Sequence, residues 1–330
     1  MNKRILIQKT AYIGVILILL LAFIYSGLQI LESTVFRYEE AEVNPDKRKT
    51  LVVDGMFYYP RQDITVILLM GIDQSGPVTA SESYNNDRAA DMVTLVICDE
   101  KHEQIRLLSL NRDTMLEMPV LGFDGRKAGT MVRQLALAHT YGTGLEDSCE
   151  NIRTTISDFL MGLRIDYYIA MNMDAIAILN DAVGGVTVTV VDDFSHVNPT
   201  ITMGQMTLQG QQAIDFVQAR KNVGDQTNVT RMDRQREYVD HFLEALQGKS
   251  ETGIDFGMEI YNDVSPYLVT NCSSTILSSM LERYADFEFH PILTPAGEAF
   301  VKDGHYQFLV DEADLNRLVV ELLYAPRDTQ

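Results

Sequence analysis

A basic segment beyond the middle of the chain offers the clearest chemistry. Residues 220–236, RKNVGDQTNVTRMDRQR, hold five basic residues against two acids, although the whole chain has 27 basic and 46 acidic residues and a formal charge of −19. This local reversal of charge indicates an anion site. Arg231 and Gln235 would share one helix face, where a guanidinium fork and an amide can bind phosphate oxygens. The alternative is a solvated helix in which Arg231 pairs with Asp233 or Glu237.

Charged residues also cluster at the ends of three predicted strands. The runs 64–70, 92–97 and 105–110 are short, rich in Val, Ile and Leu, and bounded by polar residues or glycine. The charged residues that border them are Asp73, Asp87, Arg88, Asp91, Arg112 and Asp113. Ligands of open α/β sheets bind outside the carboxyl ends of strands, and carboxylates beside a phosphate suit Mg²⁺. A single Asp in such a place is more often a turn former or cap, but together they predict a Mg²⁺-assisted pyrophosphate site.

Several common kinds of site are excluded by composition and spacing. Cys98, Cys149 and Cys272 form no CxxC pair, and the closest histidines, His290 and His305, are 15 residues apart. Neither a disulfide framework nor a thiolate or HExxH zinc site is therefore indicated. The sequence also lacks a P-loop, a complete GxGxxG motif and a GxSxG motif. The acidic net charge repels phosphate backbones, which excludes general nucleic-acid binding.

The order of the remaining elements favours an α/β fold. Further strands are predicted at 166–172, 186–191 and 287–293. Helices are predicted at 132–142, 149–160, 174–182, 209–218, 230–247, 273–285 and 311–324. This order predicts a central mixed sheet flanked by helices, an α-β-α architecture preceded by one N-terminal transmembrane helix.

The N-terminus predicts that membrane anchor. Residues 10–31 carry no charge and, as a helix, would span about 33 Å, enough to cross the core of a bilayer. Basic residues precede this run and mostly acidic residues follow it, which predicts a cytoplasmic N-terminus and an extracytoplasmic remainder. A cleaved signal peptide is the alternative, but the apolar run is long and no clear small-x-small site follows it. We therefore expect a single-pass protein of the cell membrane.

Seven motifs occur in the order in which one known family carries them. They are VILLMGID (66–73), DRAADMVTLV (87–96), LLSLNRDT (107–114), IDYYIAMN (165–172), LNDAVGGVTVTV (179–190), LQGQQAIDFVQAR (208–220) and RMDRQREYV (231–239). By these motifs the chain resembles the LytR-CpsA-Psr (LCP) family of cell-wall attachment proteins. The expected segments are a cytoplasmic tail (1–9), a transmembrane helix (10–31), an extracytoplasmic stalk (32–60), an LCP catalytic domain (61–250) and its C-terminal continuation (251–330).

The resemblance implies a membrane-anchored phosphotransferase that acts outside the cell. Such proteins take a glycopolymer, for example a teichoic acid or a capsular polysaccharide, from a polyprenyl-pyrophosphate carrier. They join it through a phosphodiester to peptidoglycan, with Mg²⁺ as the cofactor. Their fold is a sheet flanked by helices, with an apolar cavity for the polyprenyl tail.

The resemblance also assigns roles to residues of the motifs. It implies that Asp73 and Asp91 face Mg²⁺ and that Arg112 is the catalytic arginine of the Arg-Asp-Thr motif. The expected pyrophosphate-binding residues are Arg88, Arg112, Arg220, Arg231 and Gln235. Asp91 and Asp113 are both candidates for the group that accepts the proton of the acceptor hydroxyl, and the sequence does not decide between them.

The chain departs from the family pattern at three places. Gln218 replaces the first arginine of an Arg-x-Arg pair, Asn228 replaces an acid, and the Arg-x-Asp motif is lengthened to Arg88-Ala-Ala-Asp91. Losing one charged phosphate donor would cost about 1.5–3 kcal/mol. Three alternatives stay open: a lipid-pyrophosphate hydrolase, a non-catalytic glycolipid-binding scaffold and a membrane-bound transcription regulator. The last is disfavoured because the basic segment would lie on the wrong side of the membrane.

Overall fold

The computed structural model describes most of the chain after residue 49. The described residues are 50–53, 56–226, 228–247, 260, 262–273, 276, 279–280, 283–284, 287–302 and 304–326. The strands are β1 (Leu51–Val53), β2 (Met56–Pro60), β3 (Ile64–Ile72), β4 (Ala90–Asp99), β5 (Gln104–Ser109), β6 (Met115–Leu121), β7 (Lys127–Gln134), β8 (Tyr167–Asn172), β9 (Val186–Val190), β10 (Gly204–Leu208), β11 (Leu268–Thr270), β12 (Glu288–Phe289), β13 (Gly297–Lys302), β14 (His305–Val310) and β15 (Tyr324–Pro326). The α-helices are α1 (Glu146–Phe159), α2 (Met173–Ala182), α3 (Gln211–Gln218), α4 (Asn228–Gln247) and α5 (Glu312–Leu323).

A six-stranded mixed sheet forms the centre of the molecule, in the order β11-β8-β3-β4-β5-β12. β8 and β3 are parallel, as are β5 and β12, whereas the other neighbours are antiparallel. The predicted central mixed sheet is therefore confirmed. Its inner strands are buried on both faces, which explains why β3 and β4 are almost continuously apolar in sequence.

The two faces of the sheet bury separate cores. Alternate side chains of a strand point to opposite faces, so that Ile67 of β3 joins one core and Leu68 joins the other. The first core contains residues of α2, α3 and α4, and the second contains residues of α1 and α5. The predicted flanking helices are thus confirmed on both faces.

Local signals set the ends of helix α2. The Asn172 side chain accepts hydrogen bonds from the backbone amides of Asp174 and Ala175 at 3.1 and 3.4 Å and so caps the N-terminus. After the helix, Gly184 and Gly185 have φ of 90° and 94°, a conformation that favours glycine. These residues begin α2 next to the end of β8 and stop it before β9.

Two element predictions need correction. The helix predicted at 132–142 is instead the end of strand β7 followed by a 3-10 helix, Leu135–Thr140. The short apolar spacing of Leu135, Ala136 and Ala138 fits a tight 3-10 turn as well as an α-helix. The strand predicted at 287–293 is reduced to Glu288–Phe289. The helix predicted at 273–285 lies largely outside the described residues.

Small sheets surround the central one. The hairpins β6–β7 and β13–β14 and the pair β9–β10 are antiparallel, and β2 lies between β1 and β15. β1 and β2 fall within the predicted stalk, so the folded part begins earlier than residue 61. In the part of the chain that the structure describes, no helix is long and apolar enough to cross a bilayer. The predicted anchor at 10–31 lies outside that part.

Candidate active site

The candidate site lies where β3 ends and β4 begins. The pairing of the two strands shifts register after Gly71, and the Asp73 amide donates to the Ala89 carbonyl at 2.9 Å. Because the strands are antiparallel, Asp73 directly after β3 and Asp91, the second residue of β4, lie at the same end of the sheet. Asp73 is exposed, whereas Asp91 is buried.

Arg112 and Arg231 share the Asp91 carboxylate. One Nη of Arg112 donates to Oδ1 of Asp91, and one Nη of Arg231 donates to Oδ2 at 2.9 Å. The side chain of Arg231 is 3% exposed and that of Arg112 is 17% exposed. The fold therefore brings two arginines from distant motifs onto one buried acid.

The solvated-helix alternative for Arg231 is wrong. Arg231 points inward from α4, whereas Asp233 pairs with Arg236 at 3.3 Å on the outer side. Glu237 accepts a hydrogen bond from the Thr189 amide at 2.8 Å. The basic segment thus contains two buried arginines, Arg231 and Arg234, and a surface ion pair.

Asp113 forms a second acid within the same cluster. Its amide donates to Oδ1 of Asn111 at 3.0 Å, and the Thr114 hydroxyl donates to the Asn111 carbonyl at 2.6 Å, so a tight turn fixes the loop after β5. The buried Asp113 carboxylate lies 3.7 Å from Nε of Arg112 and 3.5 Å from Nη1 of Arg220. Three arginines are therefore linked by two shared carboxylates.

The three guanidinium charges act on each other. Burial and the Arg231 charge lower the pKa of Arg112 to about 10, although Asp113 opposes this shift. Burial and the Arg220 charge lower the pKa of Arg231 to about 10 in the same way. Both remain protonated at pH 7, so their charge is retained at a cost. An anion with several oxygens would relieve that cost, and Nε of Arg112 is buried without a hydrogen-bond partner among the described residues.

Helix α4 also fixes the end of α3, from which Arg220 follows. Nε of Arg234 donates to the Phe216 carbonyl at 3.2 Å, and another of its nitrogens donates to the Ala219 carbonyl. The Gln235 amide donates to the Val217 carbonyl at 3.0 Å. These bonds satisfy carbonyls that a helix C-terminus leaves without partners. Gln235, predicted to bind phosphate, thus has a capping contact in this structure.

Gln218, which departs from the family pattern, and Arg88, which is predicted to bind pyrophosphate, both have hydrogen-bond partners outside the cluster of three arginines. The side-chain amide of Gln218 donates a hydrogen bond to Oδ1 of Asp73 at 2.9 Å, so a neutral side chain contacts that carboxylate. The Arg88 guanidinium donates to the Thr79 carbonyl. No ion pair among the described residues joins Arg88 to Asp91 or Asp113, so the structure does not bring Arg88 into the cluster.

An apolar cavity of about 220 Å³ lies beside the cluster, between the central sheet and helices α2 and α4. Its walls include Ile67, Leu69, Ile169, Ile176, Tyr238 and Phe242. Asp91, Gln218 and Gln235 also line it. Because Asp91 contacts both the cavity and two arginines, the apolar space and the cationic cluster are continuous.

The acids of the site fit Mg²⁺ only as a partner of phosphate. In the part of the chain that the structure describes, no three His, Cys, Asp or Glu side chains group as metal ligands. Asp73 and Asp91 could supply carboxylate oxygens at one end of the sheet, and Mg²⁺ is commonly held by one or two carboxylates together with substrate phosphates. Both oxygens of Asp91 accept from arginines, so a phosphate that took over those arginines would leave this carboxylate available.

Two site residues were not predicted from the sequence. Gln134 donates to Oδ1 of Asp113 at 2.9 Å and to the Tyr306 carbonyl at 2.7 Å. The Arg220 guanidinium lies over the Tyr306 ring, with Cζ 5.0 Å from the ring centroid. Both residues come from hairpins outside the seven motifs, and no charge or spacing pattern singles them out.

Comparison with known proteins finds relatives in sequence and in fold. A polyisoprenyl-teichoic acid–peptidoglycan teichoic acid transferase, TagU of Oceanobacillus iheyensis, is 26% identical over 320 residues, which cover 94% of this chain and 91% of TagU. Bacillus subtilis TagV matches with a TM-score of 0.60 and 22% identity over 79% of this chain and 96% of TagV. TagT bound to LIIa-WTA matches with a TM-score of 0.58 and 21% identity over 79% of this chain and 90% of TagT. The model of the LytR_cpsA_psr family matches residues 27–322, and the chain therefore belongs to that family, as its seven motifs predict.

Proposed function

We propose that this protein is an extracytoplasmic, Mg²⁺-dependent phosphotransferase that moves a glycopolymer from a polyprenyl-pyrophosphate carrier to peptidoglycan. The transferase class follows from the family and from relatives named as teichoic acid transferases. We take a teichoic acid as the glycopolymer, because the name of the Oceanobacillus iheyensis relative specifies that substrate.

One observation supports this proposal above the others, namely that the buried arginine cluster and the apolar cavity share Asp91. A ligand that fits both must have an anionic head and an apolar tail. The aliphatic and aromatic side chains that line the cavity favour binding of a hydrocarbon chain. The guanidinium groups favour binding of phosphate oxygens. A polyprenyl pyrophosphate has both parts.

The arginines explain how transfer would be accelerated. A hydroxyl oxygen of peptidoglycan forms a bond to the phosphorus that carries the glycopolymer, the bond from that phosphorus to the bridging oxygen breaks, and polyprenyl monophosphate leaves. Positioning and charge stabilisation dominate such reactions. Arg112, Arg220 and Arg231 would bind the oxygens on which negative charge develops. Asp91 and Asp113 each contact two of these arginines, so they orient them, and either acid is a candidate for taking up the hydroxyl proton.

Asp73 and Asp91 would hold Mg²⁺ beside these phosphates. Bound there, the ion would neutralise charge on the pyrophosphate oxygens and so reduce repulsion of the attacking hydroxyl. We expect Asp73→Ala to raise the Mg²⁺ concentration needed for half-maximal transfer while leaving the protein folded, because Asp73 is exposed. Asp87→Ala is the matched control, since Asp87 is an exposed acid of the same segment outside the cluster. Full transfer by Asp73→Ala at limiting Mg²⁺ would contradict the ligand role.

Product analysis tests the reaction itself. The purified full-length chain in detergent is mixed with a short-chain polyprenyl-pyrophosphate glycolipid, Mg²⁺ and peptidoglycan. We expect glycopolymer bound to peptidoglycan through a phosphodiester, together with polyprenyl monophosphate. Free phosphorylated glycopolymer in its place would identify a hydrolase, and an unchanged glycolipid would favour a binding scaffold.

The membrane topology needs its own test. We propose that residues 10–31 anchor the chain and that the folded part faces outward, on the charge asymmetry around that segment. The native cysteines Cys98, Cys149 and Cys272 are buried, whereas Phe123 at the tip of the β6–β7 hairpin is fully exposed. A membrane-impermeant maleimide should therefore label Phe123→Cys on intact cells and leave the parent chain nearly unlabelled. Labelling that requires broken cells would reverse the proposed orientation.

A further inference from the structure

The C-terminal hairpin β13–β14 contacts the loop that carries Arg112 and Asp113. The Phe308 amide donates to the Asp113 carbonyl at 2.9 Å, and Thr114 forms a parallel bridge with Phe308. Gln134 adds a side-chain link, because it donates both to the Asp113 carboxylate and to the Tyr306 carbonyl. Strand β14 is therefore held against the site by hydrogen bonds from two directions.

This placement puts the Tyr306 ring beneath Arg220. The Arg220 Cζ lies 5.0 Å from the ring centroid, within the range of a cation–π contact. The polar contact of Arg220 with Asp113 is 3.5 Å long, and its side chain is 23% exposed. A single long ion pair leaves a guanidinium free to rotate, whereas an aromatic face fixes the plane of the guanidinium group.

We propose that Tyr306 is a positioning residue for Arg220, which it holds in the orientation that binds the transferring phosphate. This inference rests on the proposed function for its effect on transfer, but the ordering of Arg220 is a property of the protein alone. The aromatic ring does this work through its face, so the phenol hydroxyl is dispensable.

The hairpin itself supplies a matched control. Tyr306 is paired with Val301 and Phe300 is paired with Gln307, so the two aromatic side chains project from opposite faces of the hairpin. Phe300 is 41% exposed. Phe300→Leu therefore removes an aromatic ring from the same hairpin without touching Arg220.

The first measurement needs no substrate. Phenylglyoxal modification of Arg220 is followed by mass spectrometry in the full-length chain and in Tyr306→Leu, Tyr306→Phe and Phe300→Leu. We expect Tyr306→Leu to raise the modification rate of Arg220 by about threefold or more, from the loss of the cation–π contact. Tyr306→Phe and Phe300→Leu should stay within about twofold of the parent. An unchanged rate in Tyr306→Leu would overturn the proposal.

The second measurement separates the ring's electronic effect from its shape. Pentafluorophenylalanine at position 306 keeps the size of phenylalanine but reverses the charge distribution on the ring face. We expect this variant to behave like Tyr306→Leu in arginine modification while melting like Tyr306→Phe. If it behaves like Tyr306→Phe in both, the ring only fills space and Tyr306 is not a positioning residue. This variant also decides the matter if Tyr306→Leu fails to fold.

Single-turnover transfer from the short-chain polyprenyl-pyrophosphate glycolipid connects Tyr306 to the reaction. Tyr306→Leu should transfer about fivefold more slowly than the parent, and Tyr306→Phe should restore the rate to within about twofold. Parent-like transfer by Tyr306→Leu would overturn the proposal. If the parent chain itself transfers nothing, the proposed function fails, whereas the arginine modification still decides whether Tyr306 orders Arg220.

Discussion

Arg61 and Arg231 each bury their side chain against an aspartate of strand β4, but they lie at opposite ends of that strand. Arg61 donates four hydrogen bonds of 2.5–2.9 Å to the carboxylates of Asp63 and Asp99. Arg231 shares the single carboxylate of Asp91 with another arginine. At the Arg61 end of the strand, two carboxylates thus face one guanidinium group. At the Arg231 end, two buried carboxylates face three guanidinium groups.

The pKa shifts of these arginines differ in sign for that reason. Burial opposes the charge of Arg61, but its hydrogen bonds to Asp99 and Asp63 outweigh burial and raise its pKa. Burial also opposes ionisation of Asp99, but the hydrogen bonds from Arg61, His102 and Gln104 and the Arg61 charge together outweigh it and hold the Asp99 pKa well below its usual value. At Arg231, burial and the Arg220 charge prevail and lower the pKa to about 10. A saturated ion pair stabilises the fold, whereas a cluster with excess positive charge favours an incoming anion.

The largest expected effect follows from breaking the saturated pair. Arg61→Ala leaves the buried Asp99 carboxylate, which is 3% exposed, without its main partner. We expect the free energy of unfolding to fall by about 3–5 kcal/mol, as measured by urea denaturation. Transfer per folded molecule should stay unchanged, because Arg61 lies at the far end of the strand from the site.

An exposed arginine provides the comparison for Arg61. Arg317 is 60% exposed and pairs with Asp314 at 2.7 Å on the surface of α5. Arg317→Ala should therefore change the free energy of unfolding by about 0–1 kcal/mol. Equal destabilisation by the two variants would show that the Arg61 pairs add nothing beyond a surface interaction.

The next effect concerns transfer rather than stability. Lysine keeps the charge of arginine but loses the bidentate fork. We expect Arg112→Lys and Arg231→Lys each to slow single-turnover transfer by at least about tenfold, equivalent to ~1.4 kcal/mol of transition-state stabilisation. Their melting temperatures should stay nearly the same, because lysine keeps the positive charge that faces Asp91.

Arg236→Lys is the matched control on helix α4. Arg236 is 40% exposed and pairs with Asp233 three residues away, so the lysine variant should transfer at the parent rate. If Arg231→Lys also transferred at the parent rate, the inward position of Arg231 would be structural only.

The seven motifs predict most of the site residues, and the apolar runs of the buried strands predict most of the fold. Arg112, Arg231 and Asp91 come together because their motifs lie at the ends of elements that meet at one end of the sheet. Asp91 is near the start of β4, Arg112 follows β5, and Arg231 is near the start of α4. The core strands are predictable since burial on both faces makes them continuously apolar, as in β4. Tyr306 could not be predicted from the sequence, because its contact with Arg220 depends on tertiary packing and no sequence pattern indicates it.

The errors have physical causes as well. Strand β7 is mostly exposed and lacks a regular apolar alternation, and it is followed directly by the apolar spacing of Leu135–Thr140. Arg88 lies near Asp91 in sequence, but its guanidinium turns toward the Thr79 carbonyl. Proximity along the chain does not fix the direction of a long side chain where a carbonyl competes for it.

The smallest expected effect is the most direct test of the comparison between the two ends of β4. The folded pKa of Arg231, about 10, lies below the usual value of an arginine in the unfolded chain. The charge of Arg231 therefore costs stability at neutral pH, and the free energy of unfolding rises as the pH rises past about 10. An anion that binds the cluster at pH 7 should remove part of that cost.

Inorganic pyrophosphate without Mg²⁺, at a concentration equal to its Kd, should stabilise the protein by about 0.4 kcal/mol, or roughly 1–2 °C in melting temperature. Sulfate at matched ionic strength controls for general salt effects. Arg231→Ala should lose the shift, whereas Arg61→Lys should keep it, since the Arg61 end already has its two carboxylates. A shift that survived in Arg231→Ala would mean that pyrophosphate binds elsewhere, and the excess positive charge at the site end would then have no role in recognising the anion.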